Sequence, residues 1–175
     1  MRFRTITPFV IFPLVTYFLT YFGIPFTWFA LLSVVGGFLF GGLAEYLLHR
    51  VAFHNRELPR KIKRLISNGH VLHHRNPQLT ENLILPLTTV LPISLVLLGF
   101  FMVIFGTSYS FWFYTGVLSS YFLYEFIHFY SHHINLKIPI LNYLKKYHLE
   151  HHFSSSSKHF MITNPLFDLL FGTFK

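Results

Sequence analysis

The sequence has 175 residues, of which 53% are hydrophobic, 20% are aromatic and only 11% are charged, whereas a soluble domain usually carries ~25% charged residues. This composition excludes an ordinary soluble domain and predicts one integral membrane domain over 1–175. The formal charge of +8 does not indicate nucleic-acid binding, because the basic residues lie beside apolar segments, and the absence of cysteine excludes disulfides, iron–sulfur clusters and a haem–thiolate centre.

The N-terminal part of the chain predicts two membrane-spanning helices joined as a hairpin. We interpret the apolar run 8–22 as a first span, since no small-residue cleavage site follows it as in a signal peptide. Residues 23–25 break the run, and 26–48 form a second apolar stretch, long enough because ~20 helical residues cover the ~30 Å hydrocarbon core. The glycine pairs 36–37 and 41–42 favour close helix packing.

The second span ends in two histidines, His49 and His54, five positions apart. On a regular α-helix this pair points in directions about 140° apart, so both reach one metal only if the helix ends, bends or bulges between them. We therefore predict an irregular helix near Arg50. Glu45 lies one turn before His49, and we predict that it accepts the second ring N–H of His49 and fixes its tautomer. The alternative is an ion pair between Glu45 and Arg50.

The polar segment 54–82 is too basic to span a membrane and carries the next histidine group. An amphipathic pattern that begins at Pro59 predicts a short helix lying on the membrane surface. Beyond it, an HxxHH motif places His70, His73 and His74 at positions i, i+3 and i+4, which share one face of a helix. Three imidazoles that project from one helical turn are predicted to bind a metal ion together.

Two further apolar runs, 83–105 and 111–130, predict a second hairpin joined by a turn at 106–110. Every Lys and Arg lies at the N-terminus, in the loop 50–75 or from residue 137 onward. The positive-inside rule then places both termini and every histidine group on the cytoplasmic side. The predicted fold is all-α, with four transmembrane helices in two hairpins and a cytoplasmic histidine-rich helical cap.

The end of the fourth predicted span carries His128 and His132, four positions apart, so that both lie on one helix face. Glu125 lies one turn before His128, and we predict for it the same supporting role as for Glu45. A further interfacial helix is predicted to lead into a second HxxHH motif. This motif consists of His148, His151 and His152.

Ten or more imidazoles exceed the four to six ligand positions of one first-row metal ion, so two metals are predicted. A nitrogen-rich site without thiolates suits iron that activates dioxygen, and at a membrane face a lipid chain can enter from the bilayer. Two other classes stay open. A histidine-ligated haem electron-transfer subunit needs only one or two histidine pairs, placed within the spans. A metal transporter places polar ligands inside the bilayer, but 9–21 and 83–105 contain no ionisable side chain except tyrosine.

The motifs resemble the fatty acid hydroxylase/sterol desaturase superfamily of membrane diiron enzymes, and most closely its fatty acid 2-hydroxylases. The resemblance runs from Glu45 to Thr173 through the segments EYLLHRVAFH, GHVLHH, YEFIHFYSH, YHLEHH and FMITNPLFDLLFGT. It implies a single hydroxylase-type domain over 1–175 that hydroxylates a C–H bond of a lipid acyl chain with O2 and external electrons. Hydroxylation or desaturation of a sterol or carotenoid is the alternative within the superfamily.

The resemblance also implies the cofactor, two iron ions, with zinc as the metal of some preparations. It carries the metal ligands over to His49, His54, His70, His73, His74, His128, His132, His148, His151 and His152. His133 and His159 lie where relatives often have other residues, and both are left outside the ligand set. The loop 77–82 lacks the acidic and arginine pattern of close 2-hydroxylases, which leaves the substrate less certain than the reaction.

The partners and location follow from the same resemblance. The fused cytochrome domain of eukaryotic 2-hydroxylases is missing from this sequence, so we expect a separate electron donor such as a b-type cytochrome or a ferredoxin system. We expect a lipid substrate, no nucleic acid, and a multi-pass protein of the bacterial inner membrane or the endoplasmic reticulum.

Overall fold

The computed structural model describes residues 26–54, 57, 59–61, 67–80, 83 and 87–174. This part of the chain is helical and contains no β-strand, which confirms the predicted all-α class. The elements are α1 (Trp28–Leu47), a π-helical segment (Leu48–Phe53), α2 (Asn68–Arg75), α3 (Leu87–His133), α4 (Pro139–Phe153) and α5 (Leu166–Leu170). The predicted first span and most of the predicted amphipathic helix after Pro59 lie outside the described residues.

Among the described residues, two helices are long and apolar enough to cross a membrane, Trp28–Phe53 and Thr88–His133. A straight helix of the second length, 46 residues, would extend about 70 Å, more than twice the ~30 Å hydrocarbon core. However, Gly106 has non-helical angles, φ 72° and ψ 168°, and the rings of Phe101 and Phe113 lie only 4.7 Å apart, against ~18 Å along a straight helix. The chain therefore reverses at Gly106, and α3 comprises two antiparallel helices.

The reversal is tighter than predicted. We expected a turn over 106–110, but the second helix of α3 resumes directly after Gly106, and the hydroxyl of Ser110 donates to the Gly106 carbonyl at 2.6 Å. A positive φ at a residue without a Cβ makes a one-residue reversal possible.

The described residues fall into two compact units, one within Met1–Gly41 and Ile84–Phe122, the other within Gly42–Leu83 and Leu123–Lys175. In the first unit, α1 packs against the helix 107–122 backbone to backbone. A Cβ on Gly37 would overlap the Phe113 carbonyl, and a Cβ on Gly116 would overlap the Val34 carbonyl. The predicted close packing of the α1 glycines is thus confirmed at Gly37, whereas its partner Gly116 was not predicted.

The second unit is built around the segment 158–163, which connects α4 to α5 and is mostly buried. Phe160 and Met161 pack with Tyr46 in one apolar cluster, while Ile162 packs with Ile127 and Leu144 in another. A side chain from α1 and side chains from α3 and α4 therefore all pack on this one segment. The prediction of a single domain over 1–175 stays a prediction.

Candidate metal centre

The structure brings all ten histidines with a predicted metal role together, in two clusters within the second unit. In each cluster one ring nitrogen from every histidine lies within 4.8 Å of the others. The first cluster contains His49, His54, His70, His74 and His151. The second cluster contains His73, His128, His132, His148 and His152.

The spacing of the ring nitrogens fits one metal ion per cluster. In the first cluster the Nε2 atom of His54 lies 2.9 Å from that of His70 and 3.0 Å from that of His151. In the second, the Nε2 atoms of His73 and His128 are 2.9 Å apart. Two nitrogens bound at ~2.1 Å lie about 3.0 Å apart at a right angle and about 3.4 Å apart at the tetrahedral angle. The clusters therefore suit ions with five or six ligands better than tetrahedral sites.

Each HxxHH motif contributes histidines to both clusters, whereas the three histidines of one motif were predicted to bind the same metal ion. In α2, His70 and His74 belong to the first cluster and His73 to the second, whereas in α4, His151 belongs to the first cluster, apart from its neighbours. The reason is helical geometry, because positions i and i+4 point about 40° apart while i+3 and i+4 point about 100° apart. The rings of His74 and His152, one from each cluster, stack at 4.1 Å, so the two clusters are adjacent.

The irregular helix predicted near Arg50 is confirmed. The segment Leu48–Phe53 is a π-helix, and the backbone N–H of His54 donates to the carbonyl of His49 at 3.2 Å. In this i to i+5 pattern, residues five apart lie on the same side of the helix. His49 and His54 can therefore point into the same cluster.

Backbone carbonyls of the segment 158–163 orient two imidazoles of the first cluster. The Nδ1–H of His49 donates to the Phe160 carbonyl, and the Nδ1–H of His151 donates to the Lys158 carbonyl at 2.6 Å. This fixes the tautomer that leaves the Nε2 lone pair for a metal. The Nε2 atom of His49 is buried and has no hydrogen-bond partner among the described residues, as expected for an atom that faces an ion.

The predicted hydrogen bond between His49 and Glu45 is wrong, because the Phe160 carbonyl occupies that place. The Glu45 carboxylate instead accepts from the backbone N–H groups of Ile162 and Thr163 and from the Thr163 hydroxyl. The alternative ion pair with Arg50 is not the arrangement found either, since that guanidinium donates to the Tyr46 hydroxyl at 2.6 Å.

The second cluster has a different environment around its outer nitrogens. The Nδ1 atoms of four of its imidazoles are buried and have no hydrogen-bond partner in the part of the chain that the structure describes. These are His73, His128, His148 and His152. The predicted hydrogen bond from His128 to Glu125 is therefore not formed, although Glu125 is itself buried.

Burial keeps these imidazoles neutral. Burial, together with a smaller contribution from neighbouring imidazoles, lowers the pKa of His73 to about 4 and that of His74 to about 3. Burial likewise lowers the pKa of His70, His148 and His152 well below the usual value, again with contributions from surrounding histidines. At neutral pH the rings therefore offer lone pairs to a cation instead of carrying charge themselves.

His133 and His159, which the sequence-based prediction left outside the ligand set, lie outside both clusters. The ring of His133 packs on Phe129 at 4.8 Å. His159 stacks on Tyr147 at 4.2 Å and donates from Nε2 to the Phe174 carbonyl at 2.6 Å.

Sequence reasoning assigned no role to Asp168, which is completely buried. Its carboxylate accepts from the backbone N–H groups of Phe160 and Met161, at 2.9 and 2.7 Å, and from the hydroxyls of Thr173 and Tyr147, at 2.6 and 2.8 Å. The signal was present in the sequence, since Asp168 is the one acidic residue in an apolar run, LFDLLF, that follows a histidine motif.

Comparison with known proteins points to one family. The fatty acid hydroxylase family model matches residues 34–173. A dihydroceramide fatty acyl 2-hydroxylase of Arabidopsis thaliana is 35% identical over 144 residues, which is 81% of this chain and 60% of that protein. The ceramide very long chain fatty acid hydroxylase of Saccharomyces cerevisiae is 33% identical, over 75% of this chain and 35% of that protein.

A solved structure has the same fold. Full-length scs7p, of which only the hydroxylase domain is visible, superposes with a TM-score of 0.85 at 28% identity, covering 97% of this chain and 66% of that one. The chain thus spans three fifths or less of the two curated relatives and about two thirds of the solved chain.

Proposed function

Because the chain belongs to the fatty acid hydroxylase family, we propose that it is a membrane-bound oxygenase that hydroxylates the acyl chain of a lipid with O2 and external electrons. The 2-hydroxylases among its relatives favour the carbon next to the carbonyl as the position oxidised. The observation that carries the proposal is the pair of five-imidazole clusters, which matches the ligand number of two adjacent metal ions and exceeds the two axial ligands of a haem.

The ten clustered histidines are proposed as ligands of two iron ions. Iron bound there would supply the oxidation of an unactivated C–H bond, which no acid–base side chain can perform. The chain's own contribution is to hold neutral imidazoles at ligand spacing and to keep water away from them. The carbonyls of Phe160 and Lys158 keep His49 and His151 in the metal-binding tautomer.

The proposal includes a topology. The distribution of Lys and Arg supports four transmembrane helices in two hairpins, with both termini and the histidine clusters on the cytoplasmic side. A lipid chain would then reach the clusters from the bilayer, and a separate electron donor, such as a b-type cytochrome or a ferredoxin system, would dock from the cytoplasm. Arg75, which is exposed after the histidines of α2, is suited to contact an anionic lipid headgroup.

The test is lipid mass spectrometry on cells that express the protein under 18O2. We expect acyl species heavier by one 18O atom, absent from cells that express His152→Ala and retained with the matched control His133→Ala. Labelled sterols or carotenoids with unaltered acyl chains would move the protein to a sister branch of the superfamily. No labelled lipid from a metal-loaded protein would refute the proposal.

A further inference from the structure

A network of buried hydrogen bonds converges on the backbone that orients the first cluster. Asp168 accepts from the backbone N–H groups of Phe160 and Met161, within the segment whose carbonyls bind His49 and His151. The backbone of Phe160 is therefore held on both sides of its Cα atom. Its N–H donates to a carboxylate and its carbonyl accepts from an imidazole.

The same carboxylate joins this segment to the end of the chain. The Thr173 hydroxyl donates to the Asp168 carboxylate, while its backbone N–H donates to the Asp168 backbone carbonyl. The backbone N–H of His159 in turn donates to the Thr173 carbonyl at 3.0 Å. Gly172, with φ 70°, turns the chain so that Thr173 can make these contacts. Tyr147, one residue before the second HxxHH motif, supplies the fourth donor.

Four donors on one fully buried carboxylate satisfy its capacity and fix its position. A buried charge with this many partners is costly to disturb, because each lost partner leaves a polar group without water to replace it. Glu45 holds the following residues, Ile162 and Thr163, in a similar way. The segment is thus fixed by two acidic side chains that belong to neither histidine cluster.

We propose that Asp168 is a positioning residue for the first metal site, acting through the Phe160 and Lys158 carbonyls on His49 and His151. This inference rests on the proposed role of the clusters as metal sites. Asp168 sets the orientation of two imidazoles in the first cluster. It does not orient the second cluster, whose histidines are positioned by the helices on which they lie. Its removal weakens metal binding at one site of the pair.

The variant Asp168→Asn tests this with little change in size. Whichever side-chain oxygen becomes the amide nitrogen, it meets a backbone N–H, that of Phe160 on one side or that of Met161 on the other. The hydroxyls of Thr173 and Tyr147 can rotate to accept, but a backbone N–H cannot. One donor–donor contact is therefore unavoidable beside the carbonyl that binds His49.

The experiment measures release of ferrous iron to a coloured chelator, without oxygen, from the full chain in detergent. In wild type we expect two equivalents, and in Asp168→Asn one of them should leave roughly ten- to a hundredfold faster, the usual effect of losing support behind a metal ligand. Two variants that each retain only one metal site show which equivalent leaves faster. Asp168→Asn should accelerate release when His128→Ala has removed the second site, and should have no effect when His49→Ala has removed the first.

Ile162→Val is the matched control, because it trims a buried side chain of the same segment without touching these hydrogen bonds. Cobalt in the first site should give an altered visible spectrum in Asp168→Asn and an unchanged one in Ile162→Val. Equal acceleration of both equivalents, or none, overturns the inference, whereas wild-type protein that binds no iron overturns the proposed function instead. Should Asp168→Asn fail to fold, Tyr147→Phe removes one donor and must show a smaller, still site-selective effect.

Discussion

The two histidine clusters have the same number of histidines but reach their geometry by different means. Four histidines of the second cluster come as two i, i+4 pairs, His128 with His132 and His148 with His152, on regular helices. The first cluster takes His49 and His54 from a π-helical segment and its end, and carbonyls behind His49 and His151 hold those two rings. Carbonyls thus add support in the first cluster both on irregular backbone, at His49, and on a regular helix, at His151. In the second cluster the Nδ1 atoms of His128, His148 and His152, which belong to the two pairs, have no such partner among the described residues.

Removing one histidine from each cluster should cause the greatest loss of activity. We expect His151→Ala and His152→Ala each to abolish lipid hydroxylation, at least a hundredfold, which exceeds the tenfold to hundredfold loss typical of groups behind a ligand. Metal analysis should show one ion missing in each variant, from a different cluster. Full turnover in either variant would remove that histidine from the site.

A smaller effect should separate the clusters by their support. Glu45→Leu removes the acceptor for Ile162 and Thr163, so we expect iron to leave the first cluster about tenfold to a hundredfold faster. Glu45→Gln is the matched control, since its carbonyl oxygen can replace Oε1 and keep both backbone bonds, although neutral bonds are about half as strong. The same chelator assay measures both variants. Faster release of iron from the second cluster would contradict a role of Glu45 confined to the first cluster.

Much of the site was predictable because histidine spacing on a helix determines which rings share a side. This spacing indicated the histidine groups, and the family resemblance selected from them the ten histidines that the structure brings together. The five-residue gap between His49 and His54 required an irregular helix, which in the structure is a π-helical segment. Helical geometry permits the division of each HxxHH motif between two clusters, but which histidine enters which cluster depends on how α2 and α4 are rotated against their neighbours, and the sequence does not show that rotation. The supporting carbonyl of Phe160 was not predicted, because every residue has a backbone carbonyl and the sequence does not show which of them accepts from an imidazole.

The fold shows the same limit. Apolar length predicted α1 and both helices of α3, since it depends only on composition along the chain. Gly37 was recognised as a packing position, but Gly116 was not, because its role appears only when the Val34 carbonyl lies against it. Glu45 was assigned to the wrong partner for a related reason. Its nearest histidine in sequence is less accessible to it than two N–H groups more than a hundred residues away.

His159→Ala should lower the stability of the protein modestly without loss of metal. The ring stacks on Tyr147 and donates to the Phe174 carbonyl, but it lies outside both clusters. We expect stability to fall by about 1 kcal/mol, the usual net value of one hydrogen bond, with both metal ions retained. Thermal unfolding together with metal analysis provides the check. Loss of one ion would show that His159 belongs to the first site.

The smallest effect is expected for His133→Ala. His133 is adjacent in sequence to His132 of the second cluster, but its ring packs on Phe129. Metal content and hydroxylation should stay within error of wild type, and metal analysis with product quantification would detect a change. A lost equivalent of iron would mean that the second cluster has six protein ligands instead of five.

The glycines of the first unit set limits on how this protein can be stabilised by engineering. Replacing a helical glycine by alanine usually gains roughly 0.5–1 kcal/mol, because alanine loses less backbone entropy on folding. At Gly37 and Gly116 the same change would force two helix backbones apart. At Gly99 a Cβ would meet no atom within 4 Å in the described part of the chain, so alanine there gains helix propensity at no steric cost. A thermostabilised variant should therefore be sought at Gly99, and a library that randomises all three positions together would lose most of its members to misfolding.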